Sequence, residues 1–299
     1  MQEEKIKFID LFCGIGSFHH SLSALGWECV FACDVDENCR NTYEKNYGLR
    51  PAGDITKIDP TDVPSFDVLC AGFPCQPFSV AGHHQGFNDE GRGNMFEELM
   101  RFVRHHDPRC VILENVPGLV NHDEGRTLKR IVSDLEERSY NVLVDMMACS
   151  DYGIPQMRKR LFIVAAKCEI PPLLLLDIPH VKPKRLSQFL NSGRPHDECV
   201  SFTEKDVAYT IRCGGHRSPV DGKHNWDGYR ARRYDSADEF VYRLTIRDCL
   251  KLQGFDEHTF ELMGPPRAHW KMVGNTIPTN LTRLVGSAVD QLLRQNAKK

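Results

Sequence analysis

Cys75 combines a reactive side chain with a backbone context that would hold it in place. It follows an apolar run and lies between Pro74 and Pro77 in the segment GFPCQPFS. A thiol held just past a strand end suits nucleophilic attack, provided that its pKa is lowered or that a base lies near it. The alternative is a buried and inert cysteine, which is the commoner state of this residue. The residues that flank Cys75 favour the nucleophile.

Glu114 offers a second reactive group, in the segment ENVPG that ends another apolar run. Partial desolvation there would favour the protonated carboxyl, which can act as an acid or a hydrogen-bond donor. The alternative is an acid in a loop or at a helix N-cap. In the segment QMRKR, alternation places Gln156, Arg158 and Arg160 on one face of a strand. Two arginines there would bind a phosphate or an electron-rich base, or would form a solvated basic edge.

A glycine turn supplies a candidate ligand site in the segment DLFCGIGSF. Gly14 and Gly16 would allow a tight turn and a close approach of a ligand to the backbone. Asp34, twenty residues after Gly14, stands where an acid binds ribose hydroxyls. His19 occupies the third glycine position of the dinucleotide fingerprint, so a nucleoside without phosphates fits better than a pyrophosphate. The alternative is a strand-to-helix turn with no ligand.

Hydrophobic periodicity predicts the elements that would position these residues. Buried strands are predicted over 7–13, 28–34, 67–72, 110–116, 140–148 and 160–166. Amphipathic helices are predicted over 18–25, 37–46, 94–106 and 127–138. Strands that alternate with helices of this length indicate an α/β fold, with a mostly parallel sheet and crossovers on both faces.

The pattern changes after residue 168, where four prolines interrupt it and weak periodicity follows. A regular pattern returns at 244–252, and a final helix is predicted over 280–295. We therefore predict a first domain over 1–169, a second and loop-rich domain over 170–265, and a C-terminal segment over 266–299 that returns to the first domain.

The charge is unevenly distributed. The 299 residues carry a net charge of −3, but residues 1–150 hold 14 basic and 24 acidic residues, whereas residues 151–299 hold 24 and 17. This asymmetry suggests that only the second half meets a polyanion. The twelve cysteines form no CxxC pair, so we expect no zinc site and reduced thiols. No signal peptide or membrane span is predicted, which favours an intracellular protein.

Together these residues resemble the DNA (cytosine-5) methyltransferase family. The resemblance rests on FCGIG at 12–16, PCQ at 74–76, ENV at 114–116, QxRxR at 156–160, RLTIR with QGF at 243–255, and VGNTIP at 273–278. It covers nearly the whole chain except about 170–240, and the compact length resembles the bacterial restriction–modification type. It implies a Rossmann-like sheet that uses S-adenosylmethionine, with a second, smaller target-recognition domain.

The resemblance also implies a cofactor site and no metal. Phe12 would stack on the adenine, and Asp34 would bind the ribose hydroxyls where the family more often has Glu. Val35 would pack on the adenine where a Trp is common. The implied cofactor-binding residues are Asp10, Phe12, Gly14, Ile15, Gly16, Asp34, Val35, Asp54, Ile55, Pro74, Met95, Asn275 and Thr276.

The implied chemistry follows from the substrate, because C5 of cytosine is too weak a nucleophile to accept a methyl group directly. Addition of the Cys75 thiolate at C6 would activate C5, and Glu114 would hydrogen-bond N3 and the exocyclic amine. Arg160, together with Arg158, would hold the base carbonyl. A base inside a duplex is out of reach, so it would be flipped out.

Duplex DNA is the partner that the resemblance implies, bound by a monomer. The glycine-containing segment 76–94 would close over the DNA, or it is a plain surface loop. Basic residues of the second domain would meet phosphates and guanine edges. The implied DNA contacts are Gln76, Ser79, Gln85, Arg212, Arg217, Arg230, Arg232 and Arg233. The expected compartment is the cytoplasm in a bacterium or the nucleus in a eukaryote.

Three other functions are weighed against this one. The tRNA-methylating branch of the family carries a Cys-Phe-Thr signature, but this chain has SFT at 201–203. A catalytically silent binding module on the same fold would be free to lose Cys75, Glu114 and Arg160. An NAD-dependent dehydrogenase would account for the glycine turn and Asp34, but not for Cys75 or Glu114.

Overall fold

The structure is a computed structural model that describes residues 5–74, 95–172, 174–183, 186–189, 199–202, 207–208, 210–213, 228–233 and 239–296. The chain divides into two compact units. The first unit comprises Met1–Met147, Lys159–Ile178 and Thr282–Lys299, and the second comprises Ala148–Arg158 and Pro179–Leu281. These bounds differ from the predicted ones, because residues 148–158 and 266–281 belong to the second unit and residues 170–178 belong to the first.

The first unit is built on a six-stranded sheet with the order β2-β1-β3-β4-β6-β5. Its strands are β1 (Lys7–Leu11), β2 (Glu28–Cys33), β3 (Val68–Ala71), β4 (Cys110–Asn115), β5 (Asn141–Ala148) and β6 (Lys159–Ala166). β1 pairs in parallel with β2 and β3, and β3 with β4, whereas β6 runs antiparallel to β4. The predicted α/β fold is confirmed, and every predicted strand is observed with bounds that differ by at most two residues.

The helices in chain order are α1 (Ser17–Ser23), α2 (Glu37–Tyr47), α3 (Met95–His106), α4 (Arg126–Glu136), α5 (Leu186–Phe189), α6 (Ile246–Leu252), α7 (Pro266–Asn275) and α8 (Thr279–Asn296). The predictions for α1 to α4 and for α8 are confirmed. The helix α7 was missed, because its segment opens with two prolines, which are tolerated in the first turn of a helix. In the described part of the chain, no helix combines the length and the apolar character of a membrane span.

The core of the first unit explains why its central strands are apolar throughout. β3 and β4 are buried along their whole length, as expected for parallel strands covered on both faces. On one face, Ile9 packs in a cluster with Phe96 and Leu99 of α3. Near the other face, the Trp27 indole donates a hydrogen bond to Asp290 of α8 at 2.8 Å. The chain therefore returns to the first unit through α8.

The second unit contains a three-stranded antiparallel sheet with the order β7-β8-β9. Its strands are β7 (Cys199–Phe202), β8 (Gly228–Arg233) and β9 (Glu239–Arg243). The helix α6 begins with a capping box between Thr245 and Asp248. A Cβ atom on Gly274 of α7 would overlap the backbone of Arg212 and Cys213. This close packing keeps α7 in the second unit.

Candidate functional site

The turn between β1 and α1 has an unusual backbone. Phe12, Gly14 and Gly16 have φ angles of 55°, 53° and 88°. A side chain in this left-handed region costs on the order of 1–3 kcal/mol, and such strain concentrates at ligand sites. The Gly14 amide donates to Asp34 Oδ2 at 2.8 Å, and no heavy atom of the described residues beyond the adjoining Cys13 and Ile15 lies within 4 Å of the place where a Gly14 Cβ would stand. The turn is therefore held from one side and open beside Gly14.

Gly16 is needed for a different reason. A Cβ atom there would overlap the ring of Tyr47 and press on the ring of Tyr43, both on α2. The neighbouring Ile15 is 1% exposed and belongs to the core. Close packing against α2 thus requires glycine at position 16 independently of any ligand.

Asp34 joins the glycine turn to the loop after β2. Its carboxylate accepts one hydrogen bond from the Gly14 amide and a second, at 2.8 Å, from the Asp36 amide. The adjacent Val35 is 75% exposed, which is unusual for a valine beside a buried strand. An apolar side chain next to a fixed carboxylate is suited to a ligand with an apolar ring and hydroxyl groups.

Asp54 and Ile55 are close to this loop. The Asp34 amide donates to the Ala52 carbonyl at 3.0 Å, which brings the segment before Asp54 alongside the end of β2. The Asp54 carboxylate accepts from the hydroxyl and the amide of Thr56, and these bonds lower the pKa of Asp54. Ile55 is buried. The predicted residues from 12 to 55 therefore come together around the carboxyl ends of β1 and β2.

Asp10 differs from the prediction that it binds a ligand in the turn. Its side chain is 1% exposed and lies below the turn, where the Tyr43 hydroxyl donates to it at 3.5 Å. Burial raises the pKa of Asp10 well above the ordinary value, although the His19 backbone amide donates to the carboxylate and opposes this shift. Asp10 supports the start of α1 from inside the fold.

His19 makes the stability of the first unit depend on pH. Burial, with a smaller contribution from His20, lowers the pKa of His19 from 6.5 to about 4. The unfolded chain binds this proton near pH 6.5, but the folded chain does not until about pH 4, so stability is lost as the pH falls between these values. From pH 7 to pH 5 we expect this group to cost about 2 kcal/mol.

A comparison of the protein with a His19→Phe variant isolates this effect. Urea unfolding at pH 7 and pH 5 should show a loss about 2 kcal/mol larger in the parent than in the variant, which lacks the titrating ring. Equal losses in the two proteins would mean that His19 takes up its proton at an ordinary pH.

Glu114 and Arg160 form an ion pair at the ends of two neighbouring strands. Arg160 Nε lies 2.6 Å from Glu114 Oε1, and the two side chains are 10% and 9% exposed. β4 and β6 run antiparallel with Glu114 opposite Phe162, so Arg160, two residues before Phe162, is a diagonal neighbour of Glu114 on the same face of the sheet. Asn115 in turn donates to the Phe73 carbonyl at 3.1 Å, two residues before Cys75 in the sequence. The ends of β3, β4 and β6 are thereby tied together.

Arg158 is placed differently from the prediction that it contacts the substrate base. It is 1% exposed, in the second unit. Its guanidinium donates to the carbonyls of Ile211, Gly274 and Thr276 at 2.7–2.9 Å. Gln156, also buried, donates to the Leu252 carbonyl at 2.7 Å. Both side chains hold backbone segments of the second unit, whereas Arg160 pairs with an acid in the first.

An Arg158→Lys variant should therefore lose stability rather than chemistry. An ammonium group cannot span three carbonyls as a planar guanidinium does, so we expect the free energy of unfolding to fall by about 2–4 kcal/mol. Urea unfolding measures this loss. Methyl transfer per folded molecule, measured at low temperature, should stay within about threefold. A stable variant with a rate reduced 100-fold would instead place Arg158 at the reacting base.

The remaining predicted residues are distributed as follows. Pro74 is exposed, and Met95 begins α3 and packs against the core cluster. Asn275 ends α7, and Thr276 is 5% exposed. Arg212 is exposed, and Arg230, Arg232 and Arg233 lie in β8. The residues outside the described ranges are Cys75, Gln76, Ser79, Gln85 and Arg217. In the described part of the chain, no cluster of three or more His, Cys, Asp or Glu is placed to hold a metal ion.

Comparison with known proteins decides the family. Residues 6–197 match the family described as C-5 cytosine-specific DNA methylase. The chain belongs to this family. The Type II methyltransferase M.MspI of Moraxella sp is 44% identical over 96% of this chain and 71% of its own length. M.DsaV of Dactylococcopsis salina is 36% identical over 95% of this chain and 86% of its own length.

The fold of the methylase also has a match among solved structures. The crystal structure of the S. pombe Dnmt2 methyltransferase superposes with a TM-score of 0.74 at 17% identity, and the match covers 96% of this chain and 99% of that one. At this identity the match shows the fold, which is the Rossmann-like methyltransferase sheet. The predicted family and activity are confirmed: the methylase transfers a methyl group to C5 of cytosine in DNA.

Sequence reasoning missed two residues that bond the segments carrying the predicted cofactor residues. Arg40 of α2 donates to the Asp34 carbonyl and Tyr47 to the Gly16 carbonyl, while Tyr43 contributes only its buried ring beside Gly16. The two tyrosines are four positions apart, which places them on one face of a helix. That spacing was visible in the sequence, but it is equally typical of an ordinary buried helix face.

Proposed function

We propose that the methylase takes the methyl group from S-adenosylmethionine and adds it to C5 of a cytosine flipped out of duplex DNA at a specific sequence. The observation that carries this proposal is the buried Glu114–Arg160 pair, at the edge where the carboxyl ends of β1, β3 and β4 meet. In an open α/β sheet, ligands bind outside this edge. An acid and a guanidinium held 2.6 Å apart can bind both sides of a cytosine ring.

The residues of the first unit fit S-adenosylmethionine. The open space beside Gly14 leaves room for a ligand, and the exposed Val35 offers an apolar surface for a base. The Asp34 carboxylate, held by the amides of Gly14 and Asp36, is the acceptor that would meet the ribose hydroxyls. Phe12, Gly14, Asp34, Val35 and Asp54 would hold the adenosine and methionine parts. When bound, S-adenosylmethionine supplies an electrophilic methyl group on a sulfonium.

The chain's own residues would prepare the cytosine. The Cys75 thiolate would form a bond with C6, and the electron pair displaced from the 5,6 double bond would make C5 nucleophilic. Glu114 would hydrogen-bond N3 and the exocyclic amine, which stabilises the adduct. Arg160 would orient Glu114 and donate to the base carbonyl. After methylation, loss of the C5 proton restores the double bond, and the S–C6 bond breaks.

The second unit would read the target sequence. Residues 212–233 contain six basic and two acidic residues, and Arg212 is exposed. Arginine side chains can neutralise phosphates and read guanine in the major groove. The segment 76–94 would contribute Gln76, Ser79 and Gln85. We place the methylase, as a monomer, among Type II restriction–modification enzymes inside the cell, as the names of its relatives suggest.

Bisulfite sequencing tests the activity and reads the target in one experiment. Unmethylated genomic DNA and, in a parallel reaction, unmethylated tRNA are incubated with the methylase and S-adenosylmethionine, converted with bisulfite and sequenced. We expect protected cytosines at a single short sequence. Protection of tRNA but not of duplex DNA would favour the RNA-methylating alternative, and protection of neither would favour a silent binding module.

A further inference from the structure

Helix α2 contacts both halves of the proposed cofactor pocket while lying outside it. Its last residue, Tyr47, reaches the glycine turn, and Arg40, two turns earlier, reaches the loop after β2. α2 begins at Glu37, directly after the loop that follows β2, so Arg40 contacts the loop from which its own helix starts. We infer that α2 is a brace for the pocket and that Arg40 and Tyr47 are positioning residues for S-adenosylmethionine. This inference rests on the proposed function.

Tyr47 holds the glycine turn. Its hydroxyl donates to the carbonyl of Gly16 at 3.0 Å and lies 3.3 Å from the carbonyl of Ile15. Its ring packs against Gly16 and stacks on His19, with centroids 4.2 Å apart. Gly16 has a φ of 88°, a conformation that glycine adopts without strain. Tyr47 thus fixes the position of the part of the turn that would meet the methionine part of the cofactor.

Arg40 holds the loop that would meet the ribose and the base. Its guanidinium Nη1 donates to the carbonyl of Asp34 at 2.9 Å and to that of Val35 at 3.3 Å. A Cβ atom on Gly53 would lie 3.4 Å from the same nitrogen, so the guanidinium also packs against the residue before Asp54. One side chain therefore sets the spacing of two loops that carry predicted adenosine contacts.

The helix is well anchored for this task. The Asp36 side chain caps its N-terminus by accepting from the Asn38 amide, and Gly48 ends it in the left-handed conformation. On its inner face, the side chain of Tyr43 is completely buried. Glu37 is paired with both Arg40 and Arg50, which orients Arg40 toward the loop. Because Arg40 and Tyr47 lie two turns apart on this helix and contact different segments, a substitution can remove one contact and leave the other in place.

Loss of the Tyr47 contact and loss of the Arg40 contact should weaken the binding of different parts of the cofactor. Tyr47→Phe removes a hydroxyl and keeps the ring, so it should loosen the turn near the methionine part alone. Arg40→Ala should loosen the loops around the ribose and the base. S-adenosylhomocysteine contains both parts, whereas 5′-methylthioadenosine lacks the amino-acid part.

The test is equilibrium binding of both ligands to the full chain. Tyr47→Phe should weaken binding of S-adenosylhomocysteine about three- to tenfold and leave binding of methylthioadenosine within twofold. Arg40→Ala should weaken both by about tenfold. Steady-state kinetics should show a higher KM for S-adenosylmethionine, with kcat and the KM for DNA unchanged in both variants.

Two variants provide matched controls. Tyr43→Phe removes a hydroxyl that bonds His19 and Asp10 but not the turn carbonyls. Arg50→Ala removes an arginine that shares Glu37 with Arg40 but whose guanidinium bonds Asn41, Glu44 and Glu37, all on α2 itself. Both controls should bind both ligands within twofold of the parent protein.

The outcomes separate the inference from the function on which it rests. If the parent protein bound neither ligand, the proposed cofactor pocket would be wrong. If the parent bound both and all four variants bound equally well, the pocket would stand and the brace would be wrong. Equal weakening in the test and control variants would reduce α2 to a general structural role and would also overturn the inference.

Discussion

Replacing Cys75 with alanine should reduce methyl transfer to background, a loss on the order of 10⁴-fold or more. Without the thiolate, C5 of cytosine stays too weak a nucleophile to accept a methyl group. Binding of S-adenosylhomocysteine should be unchanged, because the predicted cofactor residues of the first unit do not include Cys75. Incorporation of labelled methyl groups into duplex DNA measures the loss.

A second readout of the same variant tests the covalent step itself. In 5-fluorocytosine, C5 carries fluorine in place of the proton that must leave before the S–C6 bond can break. With S-adenosylmethionine present, the parent methylase should therefore remain covalently attached to such DNA on a denaturing gel. Cys75→Ala should form no such complex. The control is Cys168→Ala, which removes a partly exposed thiol of the first unit and should trap normally. Normal methylation by Cys75→Ala would refute the proposed nucleophile.

Breaking the Glu114–Arg160 pair should have the second largest effect, and it should act on stability as well as activity. Arg160→Met leaves a nearly buried carboxylate without its 2.6 Å partner, which should cost about 3–5 kcal/mol of unfolding free energy. Glu114→Gln keeps the shape of the side chain, but it replaces the carboxyl group that would bond N3 and the exocyclic amine of cytosine with a neutral amide. We expect Glu114→Gln to lower methyl transfer about 10²–10³-fold.

The double variant Glu114→Gln/Arg160→Met separates the two effects. A neutral and apolar pair of similar volume should recover most of the stability lost in Arg160→Met, since no buried charge is left unpaired. It should recover no activity, because neither side chain can still hold the base as proposed. Urea unfolding and methyl incorporation measure the two quantities. Recovery of activity with stability would assign the pair a purely structural role.

The sequence predicted the elements of the first unit well because their signals are local. Apolar runs of five to eight residues, separated by amphipathic stretches, are visible without tertiary information. The same holds for the glycine turn, where Gly14 is needed for its positive φ of 53°. The antiparallel sheet of the second unit was missed because short strands among polar loops leave weak periodicity, and the helix α7 was missed because its segment opens with two prolines.

The predicted set of arginines shows where local reasoning ends. Alternation assigned Arg158 and Arg160 the same face and a shared role, but their partners come from distant parts of the chain. Arg158 meets the carbonyls of Ile211 and of residues that end α7, whereas Arg160 meets an acid of β4. Spacing in one strand carries no information about which carbonyl or carboxylate another segment will bring to it.

The sequence by itself determined the family, the activity, the order of strands and helices in the first unit, and the residue types expected to do chemistry. Tertiary structure alone decided that Asp10 is buried under the turn, that Arg158 holds backbone, and that Arg40 and Tyr47 donate to the carbonyls of Asp34 and Gly16. It also decided that the chain re-enters the first unit twice, over Lys159–Ile178 and from Thr282 onward. The physical reason is that periodicity and motif spacing report interactions along the chain, while burial and hydrogen-bond partners depend on which distant segments pack together.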